Sequence, residues 1–331
     1  MIPNAPLLPL NMFNPYRPTR VLFVGGGQDS VALLMLYAHD ETFRNQYAPD
    51  VNFVAVMSDT GNEFPDTISY VTGLETFCRV AHIDFTFVKS EMGFHGRTWP
   101  SLTAQMERNN NVMGVAFPKT CTDNLKVKVC YRFLAQWLRN HYGYRGPDPA
   151  VYQQYRLAFG KLVTWIGFAD GEQSRAQTPV PKPKVAVEGC QTEIFAPIDS
   201  GPAYIPKWRK QCVSHIYPLL DLRHDRTACQ RIIAGYGQPV PMPSNCMFCP
   251  FQNLAECVFL FRTQPLSWAY WVEREAAKLA KFSHLKLNLG VKGRLTLPEF
   301  LAKALLKYGD WTTEQLREYR FSHGHCVRSK I

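Results

Sequence analysis

No apolar run in this sequence approaches the roughly 20 residues that a membrane-spanning helix needs, so a membrane protein is not expected. The opening stretch MIPNAPLLPLNMFNPYRP is broken by Pro and Asn and has no basic segment ahead of an apolar one, so no secretory leader is expected either. Internal repeats and low-complexity tracts are absent, which argues against a solenoid or a disordered chain. Acidic residues are in short supply: 27 Asp+Glu face 37 Lys+Arg, a formal charge of +10, which suits anionic partners such as nucleotides or nucleic acid. What is present is length and apolar content. The 331 residues, 46% of them hydrophobic, suffice for one large domain, or a domain plus an appendage, without disulfide support.

The ten cysteines are unevenly spread. With no export signal, a reducing cytoplasmic setting is expected, where cysteines serve as buried thiols, metal ligands or redox groups. Cys78, Cys121, Cys130, Cys190, Cys212 and Cys326 stand singly, whereas Cys229, Cys246, Cys249 and Cys257 crowd into one short stretch.

Short apolar runs alternate with helical periodicity. Arg20–Gly26 reads as a buried strand, Ser30–Phe43 as a helix, Val51–Asp59 as a second strand, Pro65–Cys78 as a helix and Asp84–Ser90 as a third strand. Leu125–Tyr142 is an amphipathic helix, Gly143–Pro149 a break, and Lys161–Phe168 a further strand. This alternation predicts an α/β fold, a doubly wound parallel sheet with right-handed crossovers. Residues 1–19 read as an arm and 20–222 as a nucleotide-binding domain carrying a Pro-rich loop or insertion at 177–213. Residues 223–331 read as a mainly helical, cysteine-containing region with helices at Asp225–Gly235, Ser267–Phe282, Leu297–Tyr308 and Thr313–Phe321.

Between the first strand and first helix lies Gly25-Gly26-Gly27-Gln28-Asp29-Ser30. Glycines let backbone N–H groups approach a phosphate, and the helix N-terminus adds its positive end. Ser30 can cap the helix and donate to phosphate, and Asp29 can help position Mg²⁺. A plain glycine turn with an Asp/Ser cap uses the same residues. The loop is neither G-x-x-x-x-G-K-S/T nor G-x-G-x-x-G, which argues against a Walker NTPase and a dinucleotide site.

The loop resembles the Ser-Gly-Gly-x-Asp-Ser signature of the PP-loop ATP pyrophosphatases, with Gly25 in place of the first Ser. Three further segments resemble boxes of the phosphoadenosine-phosphosulfate (PAPS) reductase-like branch: Ser58–Pro65 (SDTGNEFP), Cys121–Lys128 (CTDNLKVK) and Gly167–Arg175 (GFADGEQSR). The resemblance implies an adenine nucleotide alpha hydrolase-like fold with the ligand at the carboxyl ends of the strands. It also implies site roles. Gly25, Gly26, Gly27, Gln28, Asp29 and Ser30 would bind the terminal phosphates of ATP or of an adenosine sulfonucleotide. Asp59, Thr60, Gly61, Glu63, Gly167 and Glu172 would border the cleft, with Asp59 or Glu63 on a metal or a sugar hydroxyl. Lys126, Lys128 and Arg175 would neutralise phosphate charge, although a solvated basic helix face is the plainer account of Lys128.

Ser244-Asn245-Cys246-Met247-Phe248-Cys249-Pro250-Phe251 carries the second signal. A C-x-x-C turn aims two sulfurs at one ion, and Pro after the second Cys is a feature of iron–sulfur loops; a pair of buried thiols fits the same residues. Together with Tyr217-Pro218-Leu219, Cys229, Gly235-Tyr236 and Pro239, the stretch resembles a bacterial and phage branch of the same family. That resemblance implies a four-cysteine centre of Cys121, Cys229, Cys246 and Cys249, with Cys257 as rival to Cys121. A [4Fe–4S] cluster is favoured there, with Zn²⁺ as the alternative.

The function so implied is ATP-dependent, adenylation-linked sulfur transfer, with Asp29, Ser30, Lys126 and Arg175 in the catalytic machinery. A sulfur-donor protein such as a cysteine desulfurase would serve it, and nucleic acid fits as the acceptor because residues 281–331 hold ten Lys/Arg against four Asp/Glu, although a solvated basic surface accounts for that charge equally well. Sulfonucleotide reduction is the alternative, although His323-Gly324-His325-Cys326 departs from the E-C-G-x-H ending of the assimilatory enzymes. A non-catalytic nucleotide-binding subunit of a phage or defence assembly is the second alternative, with Gly25 as its direct support. The oligomeric state is left open.

Overall fold

The computed structural model describes residues 13–116, 120–176 and 205–323. Five strands form one all-parallel sheet: β1 (Thr19–Phe23), β2 (Asn52–Ser58), β3 (Asp84–Val88), β4 (Leu162–Ile166) and β5 (Val213–Ile216), in the order β3-β2-β1-β4-β5. Strand β1 pairs with β2 (Leu22 opposite Ala55) and with β4 (Leu22 opposite Trp165). The order reverses between β1 and β4, so the crossovers leave a crevice outside the carboxyl ends of these two strands. This is the doubly wound parallel sheet expected from the sequence.

The side chains explain why the sheet is covered twice. All seven residues of β2 are buried, as a strand with helices on both faces requires. Leu22, Phe53, Ala55, Met57 and Trp165 pack on one side with helices Gln28–His39, Pro65–Val80 and Arg226–Gly235. Val21, Val54, Val56 and Val88 pack on the other with helices Lys128–Tyr142, Asp148–Phe159 and Lys207–Cys212. The alternation of one strand residue to each layer is the period-2 geometry of extended backbone. A third core lies beyond the carboxyl edge, where Phe64, Leu102, Met106 and Phe248 pack with helices Leu254–Thr263, Pro265–Lys281, Leu297–Tyr308 and Thr313–His323. None of the described helices is long and apolar enough to cross a membrane.

The structure differs from expectation in several places. Most of the 177–213 loop lies outside the described residues, but its end is ordered as helix Lys207–Cys212 leading into β5. A helix, Asp148–Phe159, starts within the last two residues of the expected Gly143–Pro149 break, because Pro149 sits in the first turn, where a missing N–H costs no hydrogen bond. Helix Gln28–His39 ends at Asp40, whose side chain accepts from Phe43 N–H and caps a second helix, Glu41–Tyr47. Helix Arg226–Gly235, assigned from sequence to the C-terminal region, packs on helix Gln28–His39 in the sheet's own core.

Candidate active site

A cavity of about 220 Å³ opens at the crevice between β1 and β4. Gly25, Gly27, Gln28, Asp29 and Ser30 form its floor, and Gly167 continues it from β4. Gly26 takes φ +73°, the left-handed region that glycine tolerates, and turns the chain from strand to helix. The Ser30 hydroxyl is engaged within the loop: it accepts from Gly25 N–H at 3.0 Å and donates to Gly27 C=O at 3.2 Å. No side chain caps the helix at Gly27, so the positive end of a 12-residue helix faces the cavity. Gly167 is the reason that β4 can approach so closely. A Cβ there would lie 2.7 Å from Ser30 N and 3.0 Å from Asp29 C.

Gln28 does not reach into the cavity as a ligand would. Its Nε2 donates to Pro241 C=O (3.0 Å) and Phe321 C=O (3.3 Å), and its Oε1 accepts from Gln230 Nε2 (3.1 Å). The loop is therefore fastened to the segment before the cysteines and to the last helix.

Asp29 stands in the first helical turn, 3.7 Å from Arg226. Burial pushes its carboxyl up to about 6, against the pull of Arg226. Its Oδ1 is buried and has no hydrogen-bond partner. Arg226, which sequence reasoning missed, also lines the cavity and sits 3.9 Å from Glu172. Arg175 lines the cavity too, bridges to Glu172 at 2.7 Å and lies over the Phe168 ring at 4.2 Å. Glu172 thus orients two arginines from behind and is not part of the cavity wall.

The box after β2 divides in the same way. Thr60 lines the cavity, whereas Asp59, Gly61 and Glu63 do not. The Asp59 carboxylate accepts from Gly61 N–H at 2.7 Å and closes its own turn, while burial raises its pKa despite that bond. Glu63 is buried: it accepts from Thr60 Oγ1 at 3.0 Å, and Lys126 Nζ lies 3.4 Å away. Lys126 is carried on a π-helical turn, Thr122–Val127, that precedes helix Lys128–Tyr142 and places it on the wall. Lys128 points elsewhere, onto Asp123 at 2.7 Å and Asn124 at 2.8 Å.

Cys121, Cys246 and Cys249 line the same cavity as the glycine loop. The C-x-x-C turn is tied to the β2 exit by an antiparallel bridge between Glu63 and Cys246 and by Met247 N–H donating to Asn62 C=O at 2.9 Å. Lys292 braces it from behind, donating to Pro250 C=O and Gln252 C=O, each at 2.6 Å. Burial lowers this ammonium to about 8. Cys229 is a correction to the expected ligand set. It is fully buried in the core between helices Arg226–Gly235 and Gln28–His39, and burial raises its thiol well above the usual range. Cys257 is buried in the third core, its thiol pushed up to about 12 by burial. Among the described residues, no group of three or more His, Cys, Asp or Glu side chains is disposed to hold one metal ion. The cysteines as arranged do not fit a four-cysteine iron–sulfur or zinc centre, and no step below passes through one. Cys130, not anticipated as a wall residue, lines the cavity with its thiol pushed up to about 12 by burial.

No protein-family model matches the chain, and no curated protein matches it. A search of solved structures finds similarity to the U34-tRNA thiolase NcsA from Methanococcus maripaludis with its [4Fe-4S] cluster. The match covers 89% of this chain and 84% of the thiolase, at 13% identity and a TM-score of 0.34. At that level neither fold nor activity carries over from one protein to the other.

Proposed function

We propose that the protein is a PP-loop-type enzyme that uses ATP to adenylate an oxygen of its acceptor and then exchanges that oxygen for sulfur, with nucleic acid as the acceptor. One juxtaposition carries the reading: the glycine loop and the cysteines Cys121, Cys246 and Cys249 share a cavity with Lys126, Arg175 and Arg226. Backbone N–H groups at a helix N-terminus suit phosphate, cations around them suit the charge that develops on leaving pyrophosphate, and thiols suit sulfur. The acceptor oxygen attacks the α-phosphorus, the α–β bridge breaks, and pyrophosphate leaves along the loop. A hydrosulfide-class donor then attacks the carbon bearing the adenylate, and AMP leaves with the oxygen, so no net oxidation is required. The cavity cysteines line the space in which that donor would meet the adenylated carbon.

Mg²⁺ binds ATP-using sites through one or two carboxylates together with the substrate's phosphates. The partnerless Oδ1 of Asp29, at the loop, makes Asp29 the residue that would hold it. The nucleic-acid acceptor rests on charge: Lys281, Lys286, Arg294, Lys303 and Lys307 are all exposed on the C-terminal region.

The test is pyrophosphate release from ATP, with and without tRNA or DNA and a sulfide donor, followed by mass analysis of the nucleosides. Nucleic-acid-stimulated pyrophosphate release with a thiolated nucleoside is the expected result. ATP binding without turnover under all these conditions overturns the enzyme reading, and sulfite release from a sulfonucleotide with a thiol donor would put reduction in its place.

A further inference from the structure

The glycine loop has no side chain of its own at Gly25, Gly26 or Gly27, yet a hydroxyl stands over it. Ser244, two residues ahead of Cys246, lines the cavity. Its Oγ lies 3.5 Å from where a Cβ on Gly25 would be, and 2.9 Å from where one on Gly27 would be. The Ser244 backbone N lies 3.3 Å from that same Gly27 position. The space that side chains on the loop would fill is thus occupied by a polar group from a segment far along the chain, just ahead of the cysteines.

Ser244 is held there rigidly through its neighbours. Arg320, 1% exposed, donates to Asn245 Oδ1 at 2.9 Å and to Pro243 C=O at 3.4 Å, while its guanidinium lies 3.9 Å from the Phe64 ring centroid. Asn245 Nδ2 donates in turn to Glu256 Oε1 at 2.9 Å. Both residues flanking Ser244 are locked, but among the described residues neither its hydroxyl nor its N–H makes a hydrogen bond. A clamped, half-buried donor pair with no protein acceptor, set against a glycine loop at a helix N-terminus, is arranged for an anion that touches both.

We propose that Ser244 is a phosphate-binding residue of this site, donating from the cysteine segment to the terminal phosphates of a nucleoside triphosphate that the adjoining glycine loop also holds. This rests on the nucleotide reading of the cavity. It adds that the phosphates bridge the loop and the C-x-x-C segment, so that one ligand touches both halves of the site.

The experiment is calorimetric titration of the full-length protein with ATP, with inorganic pyrophosphate and with adenosine, for wild type, Ser244→Ala, and Ser244→Ala combined with Gly25→Ser. A Gly25 side chain would meet the Ser244 hydroxyl at ordinary contact distance, and Gly25 does not have the positive φ that would strain a serine. The double variant therefore returns a hydroxyl to nearly the same place from the other side. Ser244→Ala is expected to weaken ATP and pyrophosphate about tenfold, the scale of one hydrogen bond to a charged oxygen, and to leave adenosine unchanged. The added Gly25→Ser is expected to recover most of that loss. Unchanged ATP and pyrophosphate binding in Ser244→Ala overturns the proposal while leaving the nucleotide site standing. Equal loss for ATP and adenosine, or no recovery in the double variant, overturns it as well, since either result assigns Ser244 a structural role. A wild type that binds neither ATP nor pyrophosphate overturns both this proposal and the nucleotide reading.

Discussion

Replacing Gly167 by Ala tests whether the close approach of β4 to the first helix shapes the glycine loop. The added methyl would sit 2.7 Å from Ser30 N and 3.0 Å from both Asp29 C and Ser30 Cα. Ordinary van der Waals contact begins near 3.4 Å, so strand end and helix start must part by about 0.7 Å. Both neighbours are main chain, and no flexible side chain can swing aside. Forced insertion of this kind costs about 1–3 kcal/mol. With an unfolding entropy of ~2.1 cal/mol/K per residue over 331 residues, that is a melting-temperature loss of about 1.5–4 °C. The displaced N–H groups belong to the loop, so pyrophosphate affinity should fall by about tenfold or more, as expected when hydrogen bonds to a charged ligand are misplaced. Scanning calorimetry and pyrophosphate titration measure the two effects. Gly235→Ala is the control, because no atom lies within 4 Å of its added methyl at the end of helix Arg226–Gly235. It should melt at or slightly above the wild-type temperature. A Gly167→Ala protein that melts with the wild type and binds pyrophosphate equally well would refute the reasoning.

Arg226→Ala removes the guanidinium beside Asp29 and Glu172, and should weaken pyrophosphate binding and flatten its salt dependence, read by titration at two ionic strengths. Lys292→Met leaves the Pro250 and Gln252 carbonyls without their donor and should cost about 1–3 kcal/mol in denaturant unfolding. His215, on β5 with Nδ1 2.5 Å from Thr164 Oγ1, is lowered to about 4 by burial and by the nearby Arg209. A histidine depressed in the folded state gives stability that is complete above its unfolded pKa near 6.5 and lost as pH falls through about 4. The amount is up to about 3 kcal/mol, so His215→Gln should flatten the stability profile between pH 7 and 4 in urea titrations at stepped pH.

The sheet was readable because buried parallel strands are short apolar runs, and β1 through β4 carry them in plain view. Strand β5, four residues reading VSHI at the end of a proline-rich stretch, has no such run and was missed. Helix Leu254–Thr263 was missed as well: six of its ten residues are buried, so the polar face that would show helical periodicity is weak. The loop and Arg175 were legible because each follows a strand end and glycine, whereas Lys126 came only from the resemblance of the Cys121–Lys128 segment to a family box. Asp59 and Glu63 share that spacing, yet one closes its own turn and the other is buried against Thr60 and Lys126, a difference set by rotamers that spacing does not encode. Cys229 shows the opposite limit. Its motif suggested a shared ion, but its helix turns the sulfur toward helix Gln28–His39. Arg226 reaches the site only through tertiary contacts, and no local pattern marks it; Ser244 opens the cysteine stretch, but only the tertiary fold sets it over the glycine loop.

The three hydrogen bonds of the Gln28 amide carry a consequence for how the site comes into being. A residue of the first loop is completed by carbonyls at Pro241 and Phe321. During synthesis the glycine turn emerges early but waits 293 residues before its last fastening arrives. A nascent chain halted before helix Thr313–His323 would own every glycine of the loop and still lack its finished shape.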